Sequence, residues 1–479
     1  NNVSTGINLG GVGTWDNLTT SNWWDGLSGG DQPWNNSNMD TAVFWGSAGT
    51  VTLGVPITAG ALQFKTTGYT LANSTLALAS AITAELGTYT TISSQLNGTN
   101  GLTLAGTGSS GRGAIKLTNP SNNSYTGTTT INSGTLVITS DGQLGNASNT
   151  VVINGVQTAG LAGGSLFLAG STTASGYATA GTTLTLGASR SLTMLGGGVG
   201  YANGTPPGSG SALVSVGNNT IAGQLTATPT ALGLATGAAS GFGVLTLSNL
   251  SAGGTAVTNF TNFGSNGSIG GFKLDGILAG TGSINKAGLG TLIVDPTVAT
   301  GFSGTIRVTA GSVRVSDPLA LGTNVGTGLN SFFDLAGGVF EVRADTFDAS
   351  TKGLASRAAS TLFVDHALGS SAINGTATFG NFIGNANTIA TFNSRNGYNT
   401  TFNAVTVTPT SSALTLGITN SGNGLVTFTG NIWGQTVAAN TLTVTATGNI
   451  QFNTGIAATA ANTTNHFIKA GTGTLTITG

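Results

Sequence analysis

The sequence of 479 residues contains no cysteine and very little charge. The absence of cysteine excludes disulfide bonds and thiolate metal sites. Charged residues make up 6% of the chain, against about a quarter in an average soluble domain. A net charge of −1 argues against nucleic acid or an anionic membrane as a partner, because both attract strongly basic surfaces. A weakly charged surface also favours self-association.

Long apolar runs and helical periodicity are scarce as well. Thr, Ser or Gly interrupts every apolar run before it reaches the roughly 18 residues that predict a membrane-spanning helix. The sequence is instead rich in Thr, Val and Asn, with 79 glycines. Thr and Val favour extended strands, whereas Gly and Asn favour the corners between them. The composition therefore predicts an all-β protein without a transmembrane segment.

Internal repeats indicate how the strands are arranged. The words "LAGTGS" at 104–109 and 278–283 precede "YTGTTTINSGTLVI" at 125–138 and "FSGTIRVTAGSVRV" at 302–315, and a partial copy, "KAGTGTLTITG", occupies 469–479. Each unit reads as a short strand, a Gly corner and a second strand with alternating apolar positions. Such a unit buries its apolar face only when neighbouring copies stack on it. The sequence predicts a solenoid.

The N-terminal segment differs in composition from the rest. Five of the six tryptophans lie within residues 1–48. We expect this segment to form a Trp-rich cap or assembly element, because the end of a solenoid needs a cover. Residues 49–479 would form the solenoid, with irregular loops and an incomplete last repeat. The alternative for the cap is stacking on sugar rings by Trp15, Trp23, Trp24 and Trp34.

The units "YTGTTTINSGTLVI" and "KAGTGTLTITG", with "GTWDN", "NWWDG" and "DTAVFWGSAGTVTLGVPITAGALQF" near the N-terminus, resemble proteins that carry the autotransporter-associated β-strand repeat. This resemblance implies a passenger domain of a Gram-negative surface protein, folded as a parallel β-helix outside the cell. We therefore expect a parallel β-helix (β-solenoid) of irregular Gly/Thr/Asn-rich coils. The first residue is Asn1 and the composition is typical of secreted proteins, which also predicts an extracellular or cell-surface location.

Catalytic material is sparse. The chain has only two histidines, His366 and His466. His366 lies near Asp365, Ser370 and Ser371, but no nucleophile-elbow motif surrounds these serines. We expect both histidines to be structural or exposed, and we predict no catalytic residues, no cofactor and no enzymatic activity.

Carboxylates and basic residues concentrate in one stretch. Glycoside hydrolysis needs two facing carboxylates about 5–9.5 Å apart, so a β-helical polysaccharide-acting enzyme is the less favoured alternative. We expect a solvated charged face instead. Arg307 and Arg314 should also point outward, without forming an anion site. The charged residues of this stretch are Asp334, Glu341, Arg343, Asp345, Asp348, Lys352 and Arg357.

Four aspartates of the Trp-rich segment could in principle bind Ca²⁺, which prefers oxygen ligands. They are Asp16, Asp25, Asp31 and Asp40. Their spacing matches no known calcium loop. We expect them to cap polar turns and predict no metal site.

The partial C-terminal repeat suggests an assembly mode. The N-terminal "NNVSTG" has the order and spacing of "NNSYTG" at 122–127, so it would complete the C-terminal repeat of a neighbouring molecule by strand addition. A contact between two different surfaces propagates as a filament. The predicted interface joins Asn1, Asn2, Val3, Ser4, Thr5, Gly6, Ile7 and Leu9 of one molecule to Thr474, Leu475, Thr476, Ile477, Thr478 and Gly479 of the next.

The sequence thus leaves several functions open. The main prediction is an extracellular structural protein that assembles head-to-tail into a surface filament, with itself as partner. The alternatives are an adhesin passenger of the autotransporter type or a module that binds surface polysaccharide.

Overall fold

The computed structural model describes most of the chain as two compact units. Unit one comprises residues 1–258 and 263–270, and unit two comprises residues 259–262 and 271–479. The described residues are 10–25, 30–85, 87–105, 113–155, 163–169, 183–196, 212–228, 236–240, 243–253, 257–262, 271–297, 301–323, 333–385, 388–408, 415–430, 441–454 and 466–478.

The strands of unit one form three parallel sheets, here called A, B and C. Sheet A contains Gly13–Trp15, Thr50–Leu53, Thr70–Ala72, Tyr89–Ile92, Ala114–Leu117, Gly134–Ile138, Gly164–Leu168, Leu213–Ser215 and Thr236–Ser240. Sheet B contains Thr41–Phe44, Ala61–Phe64, Ile82–Ala84, Leu102–Ala105, Thr129–Ile131, Val151–Asn154, Thr183–Leu186, Leu192–Leu195, Asn218–Ala227 and Val244–Ala252. Sheet C contains Ile57–Ala59, Thr75–Leu78 and Gln95–Asn97.

Unit two repeats this arrangement. Its sheet A contains Ser283–Gly288, Ile306–Val308, Phe333–Leu335, Leu354–Ser356, Phe382–Asn385 and Val405–Thr408. Its sheet B contains Gly271–Ala279, Thr291–Val294, Ser312–Val315, Val339–Arg343, Ser360–Asp365, Thr388–Ser394, Thr415–Asn420, Thr441–Ala446 and His466–Ala470. Its sheet C contains Phe347–Ala349, Thr376–Phe379, Asn399–Phe402, Val426–Phe428, Ile450–Phe452 and Leu475–Ile477. The strand Val257–Asn262 is divided between the two units.

The predicted fold class is confirmed. Within each unit, consecutive strands of one sheet come from successive coils and pair in parallel register, as in a β-helix. The described part of the chain contains no α-helix, only three short 3₁₀ helices, and none of its helices is long and apolar enough to cross a membrane. The 3₁₀ helices are Asn36–Asn38, Asp141–Leu144 and Pro318–Leu321, and one antiparallel hairpin joins Ser21–Trp23 to Gln32–Pro33.

The interior follows from the alternation of side chains along each strand. In a strand, successive side chains point to opposite faces, and parallel register repeats each inward position on the next coil. Leu62 pairs with Ile82, Ile82 with Leu104, and Leu104 with Ile131, and all four are buried. Each coil therefore adds one apolar layer to a core that runs along the unit.

The repeated words do not occupy equivalent sheets. In the unit at 125–138, the two strands lie in sheet B and then sheet A, whereas in the unit at 302–315 they lie in sheet A and then sheet B. The physical reason is that the motif specifies a strand, a Gly corner and a second strand, but not which corner of the coil it forms. The predicted strand, corner and strand are present in both units, but the two units occupy different sheets of the coil.

A lysine stabilises the Gly corner in both copies of "KAG". Lys286 is buried, and its Nζ donates to the carbonyl oxygens of Ala287, Gly288 and Leu289 at 2.9, 2.8 and 3.1 Å. Lys469 Nζ donates to the Gly471 carbonyl at 2.7 Å. Burial lowers the pKa of Lys286 from 10.5 to about 8.

The lowered pKa predicts a pH dependence of stability. Between pH 8 and 10.5 the unfolded chain still carries the Lys286 proton and the folded chain has lost it, so the free energy of unfolding should rise with pH in this window. Below about pH 8 both states carry the proton, so the gain in stability from this group should be lost and the slope should level off. Urea unfolding from pH 7.5 to 9.5 measures this slope. Lys286→Met should lack the rise, and an identical slope in the two proteins would contradict the assignment.

Candidate functional site

Four aromatic side chains form a cluster at the N-terminal end of unit one, here called the aromatic cap. Trp15, Trp23 and Trp34 lie with ring centroids 4.9–5.0 Å apart, and the Trp15 and Trp23 centroids lie 5.8 and 5.7 Å from that of Phe44. Trp15 and Trp34 are 0% and 4% exposed. Tilted and edge-to-face aromatic packing of this kind adds to the free energy of simple apolar burial.

Trp34 of the aromatic cap and the nearby Asn36 form hydrogen bonds with the backbone at the first strand of sheet C. Thr58 N donates to Asn36 Oδ1 at 2.9 Å, and Trp34 Nε1 donates to the Thr58 carbonyl at 3.1 Å. Asn36 Nδ2 donates to the Pro56 carbonyl at 3.1 Å. An uncovered edge strand offers unpaired N–H and C=O groups for unwanted pairing. In unit one, side chains of the Trp-rich segment form hydrogen bonds with these groups.

This placement divides the four tryptophans proposed as cap or sugar-stacking residues. Trp15 and Trp34 pack inside the protein, so neither ring offers a face to a ligand. Stacking on a sugar is therefore wrong for these two. Trp24 is 42% exposed, and Trp45, which was not in the proposed set, is 50% exposed. The alternation in Thr41–Phe44 turns Phe44 inward and could have indicated that the following Trp45 points outward.

The exposed tryptophans line a cavity of about 610 Å³. Lys65 Nζ lies 5.2 Å from the Trp45 ring centroid, a cation–π contact. The Tyr69 hydroxyl donates to the Trp45 carbonyl at 2.6 Å, and burial raises the pKa of Tyr69. Because cavities of this size, lined by aromatic rings and a few polar groups, suit small ligands, we call this the aromatic cavity. Its further lining residues include Asn22, Trp23, Asp25, Asp31 and Thr41.

Two aspartates of the Trp-rich segment, Asp16 and Asp40, accept hydrogen bonds within local turns. Asp16 accepts from the Thr20 Oγ1–H at 2.5 Å and from Thr20 N at 2.8 Å, and these bonds lower the pKa of Asp16. Asp40 accepts from Asn38 Nδ2 at 3.2 Å. Among the residues that the structure describes, no three His, Asp or Glu side chains come together as metal ligands.

The charged stretch of unit two forms ion pairs between coils. Asp334 is 1% exposed and lies 2.7 Å from Arg307 Nη2 and 2.8 Å from Arg357 Nε. Glu341 lies 2.8 Å from Arg314 Nε and 2.6 Å from Arg343 Nε. The expected solvated face is therefore wrong for both carboxylates, because parallel register places an arginine of a neighbouring coil beside each of them. Arg307 and Arg314 do point outward, but each is neutralised by an acid.

The suspected catalytic group does not have the required geometry. Ser370 Oγ donates to Asp345 Oδ2 at 2.8 Å, while His366 Nδ1 lies 2.8 Å from the Ala367 carbonyl. A nucleophile activated by histidine needs a hydrogen bond between the two side chains. Bonds from Ala367 N and Ser370 Oγ lower the pKa of Asp345, which suits a turn-capping carboxylate and not a general acid.

The C-terminal residues form the last coil of unit two. Leu475–Ile477 pairs with Ile450–Phe452, and His466–Ala470 pairs with Thr441–Ala446. Ile477 and Ile468 are each 47% exposed. At the other end of the chain, Gly13–Trp15 pairs with Thr50–Leu53. The remaining predicted interface residues, Asn1–Leu9 and Gly479, lie outside the described part of the chain, so the intermolecular strand stays a prediction. The predicted boundary between the Trp-rich segment and the solenoid at residue 48 also stays a prediction.

Comparison with known proteins finds a similarity to one named bacterial adhesin. The chain is 44% identical over 188 residues to the adhesin BmaC autotransporter of Brucella suis biovar 1 (strain 1330). The similar stretch covers 37% of this chain and 5% of the adhesin, so the similarity spans only a small part of that much longer protein. No family model and no solved structure matches the chain. The similarity supports a passenger of the autotransporter type, though not the specific repeat family, and it confirms the predicted surface or extracellular location in a Gram-negative bacterium.

Proposed function

We propose that this chain is an adhesive segment of an autotransporter-type passenger. The observation that carries the proposal is the 44% identity over 188 residues to a named adhesin. A parallel β-helix suits this task because each coil adds length and surface without a new domain. An adhesin is also consistent with the expectation that the chain is not an enzyme.

The head-to-tail filament has less support than the adhesin. The relative is named an adhesin, and self-assembly is not part of its name. The predicted strand exchange depends on Asn1–Leu9, whose contacts are not defined. We therefore favour the adhesin, which was the alternative on the sequence alone, and keep the filament as a prediction.

Within this proposal, the aromatic cavity is the contact site that we favour on unit one. Trp24 and Trp45 are both partly exposed beside polar groups. The apolar faces of sugar rings stack on exposed tryptophan, while their hydroxyls need hydrogen-bond partners nearby. This combination supports a carbohydrate on the target surface.

Adhesion of the purified chain to cells tests the proposal. Fluorescent beads coated with the chain should attach to mammalian epithelial cells several-fold more than beads coated with albumin, and excess soluble chain should compete. Trp45→Ala should reduce attachment, because about half of the Trp45 surface is available to a ligand. Trp45→Phe should retain more of the attachment because it keeps an aromatic face.

Leu368→Ala provides the matched control, since Leu368 is an exposed apolar residue of unit two, at 65% exposure. Its attachment should equal that of the unmodified chain. Attachment no higher than that of albumin beads would refute adhesion by this segment. Unchanged attachment of Trp45→Ala would show that the contact with the cell lies outside the aromatic cavity.

A further inference from the structure

A second cleft, of about 390 Å³, lies on the outer face of sheet B in unit two. Its lining residues include Val339, Phe363, Thr361, Asn393 and Arg395. Three strands contribute these residues: Val339–Arg343, Ser360–Asp365 and Thr388–Ser394 with the adjoining Arg395. The cleft is thus fixed by the ladder of the β-helix, which makes it a rigid surface.

Two arginines converge on the Phe363 ring. The guanidinium carbon of Arg343 lies 4.9 Å from the ring centroid, and that of Arg395 lies 5.7 Å from it. Both distances fall within the range of about 6 Å for cation–π contacts. Arg395 N also donates to the Val364 carbonyl at 3.1 Å, which fixes the backbone at this edge of the cleft. The ring therefore positions two cationic groups beside one shallow opening.

The acid that lines the cleft, Glu341, and the neighbouring Asp365 already have partners. Glu341 pairs with Arg314 and Arg343. Asp365 accepts from Arg343 Nη1 at 2.7 Å, from Asn396 Nδ2 at 2.7 Å and from His366 N at 2.9 Å.

Arg395 is different, because its side chain is exposed and makes no ion pair with any carboxylate of the described residues. Three arginines against two acids leave one positive charge in excess, and this charge lies at Arg395.

We propose that this cleft binds an acidic saccharide, with the carboxylate or sulfate of one sugar unit on Arg395. A guanidinium presents parallel N–H donors that match a carboxylate. Val339 supplies an apolar contact for the C–H groups of a pyranose ring. Thr361 and Asn393 supply hydroxyl and amide groups for the sugar hydroxyls. The assignment does not depend on the adhesin proposal, since it concerns a different unit and a different ligand group.

The same features disfavour an acidic peptide or a nucleic acid. Nucleic acid requires many cationic contacts along a backbone, whereas this cleft has a surplus of one charge. A peptide gains affinity through apolar anchors in deep pockets, whereas this cleft is open and shallow.

Calorimetric titration of the full chain with defined oligosaccharides tests the site. The probes are tetragalacturonate, a heparin-derived tetrasaccharide and neutral galactotetraose. We expect both acidic probes to bind and the neutral probe to bind at least tenfold more weakly. Stronger binding of tetragalacturonate would identify the carboxylate as the recognised group, whereas stronger binding of the heparin fragment, which carries both groups, would show that sulfate adds to recognition. Affinity for the acidic probes should fall as NaCl increases from 50 to 500 mM, because the contact is exposed and salt screens it.

Arg395→Gln should weaken binding of the acidic probes at least tenfold, because it removes the charged donor to the ligand's acidic group, and tenfold in Kd corresponds to about 1.4 kcal/mol. Lys273→Gln is the matched control. It removes one positive charge from the same unit at Lys273, whose exposed side chain is 3.4 Å from Asp275 and outside the cleft, and it should bind as the unmodified chain does. Equal binding of acidic and neutral probes, wild-type affinity in Arg395→Gln, or an equal loss in Lys273→Gln would each overturn the proposal.

Discussion

Replacing Arg190 with methionine is expected to lower the free energy of unfolding by about 3–5 kcal/mol, the range for breaking a buried ion pair by removing one partner. Arg190 is 0% exposed, and its Nε lies 2.5 Å from Asp141 Oδ1. Its Nη1 donates to the carbonyls of Leu144 and Asn149 at 3.2 and 3.3 Å. Methionine keeps much of the side-chain volume but removes the cation beside Asp141 and the bond to the Asn149 carbonyl, while the Leu144 carbonyl keeps its bond from Asn149 Nδ2.

The effect should be local as well as large. Arg190 joins two parts of unit one that lie on different coils, the 3₁₀ helix Asp141–Leu144 and the residues before the strand Leu192–Leu195. In a solenoid, each coil is stabilised mainly by its neighbours. Hydrogen exchange in Val151–Asn154 should therefore accelerate more than exchange in Ile57–Ala59.

Urea unfolding followed by circular dichroism gives the total loss of stability, and hydrogen exchange gives its location. Lys273→Met serves as the control, because it removes an exposed cation whose ion pair contributes about 0–1 kcal/mol. A loss in Arg190→Met no larger than in this control would contradict the structural role of the buried guanidinium.

The sequence predicted the strands and the solenoid, but it did not predict which sheet each repeated word occupies. Gly127 and Gly134 mark corners, as expected, and both have positive φ values, of 105° and 78°. Glycine tolerates this conformation better than other residues. The corner that each glycine forms depends on the number of residues since the previous corner. That number varies along the chain, so the same words fall on different sheets.

The ion pairs of unit two show a similar limit of prediction from the sequence. The alternation of Arg307 and Arg314 with apolar residues predicts that both point outward, and they do. Their partners could not be predicted, because an ion pair such as Arg343–Asp365 joins residues one coil apart. Coil length varies along the chain, so sequence separation does not identify the neighbour. Burial of Asp334 and Glu341 is a consequence of this stacking.

The aromatic residues show where alternation suffices and where it does not. Alternation within Thr41–Phe44 predicts an inward Phe44. Trp23 and Trp34 are brought together by a hairpin and a 3₁₀ helix, which lack a repeating pattern. The distinction between buried and exposed tryptophans therefore required the three-dimensional structure.

Phe402→Ala is expected to cost unit two about 3–5 kcal/mol, the usual range for removing a buried phenylalanine ring. Phe402 is 0% exposed. Its ring stacks between Phe379 and Phe428, with centroids 5.4 Å away on each side and interplanar angles of 22° and 14°. Phe382 and Phe392 lie 5.5 and 5.3 Å away.

The large value is expected because the surrounding layers cannot close the space. Phe379, Phe402 and Phe428 come from consecutive strands of sheet C, held in register by ladder hydrogen bonds. The backbone spacing between strands is fixed at about 4.8 Å, so the neighbouring rings cannot move together into the cavity. Phe402→Leu should cost less, because it refills part of the volume.

Phe467→Ala is the matched control, since Phe467 is 37% exposed and its ring meets Phe452 edge-on at 6.4 Å. Urea unfolding of the three variants should rank the losses as Phe402→Ala, then Phe402→Leu, then Phe467→Ala. Limited proteolysis should cut Phe402→Ala within unit two before it cuts unit one. If Phe402→Ala lost no more stability than Phe467→Ala, the aromatic column would not be the main stabilising element of sheet C in unit two.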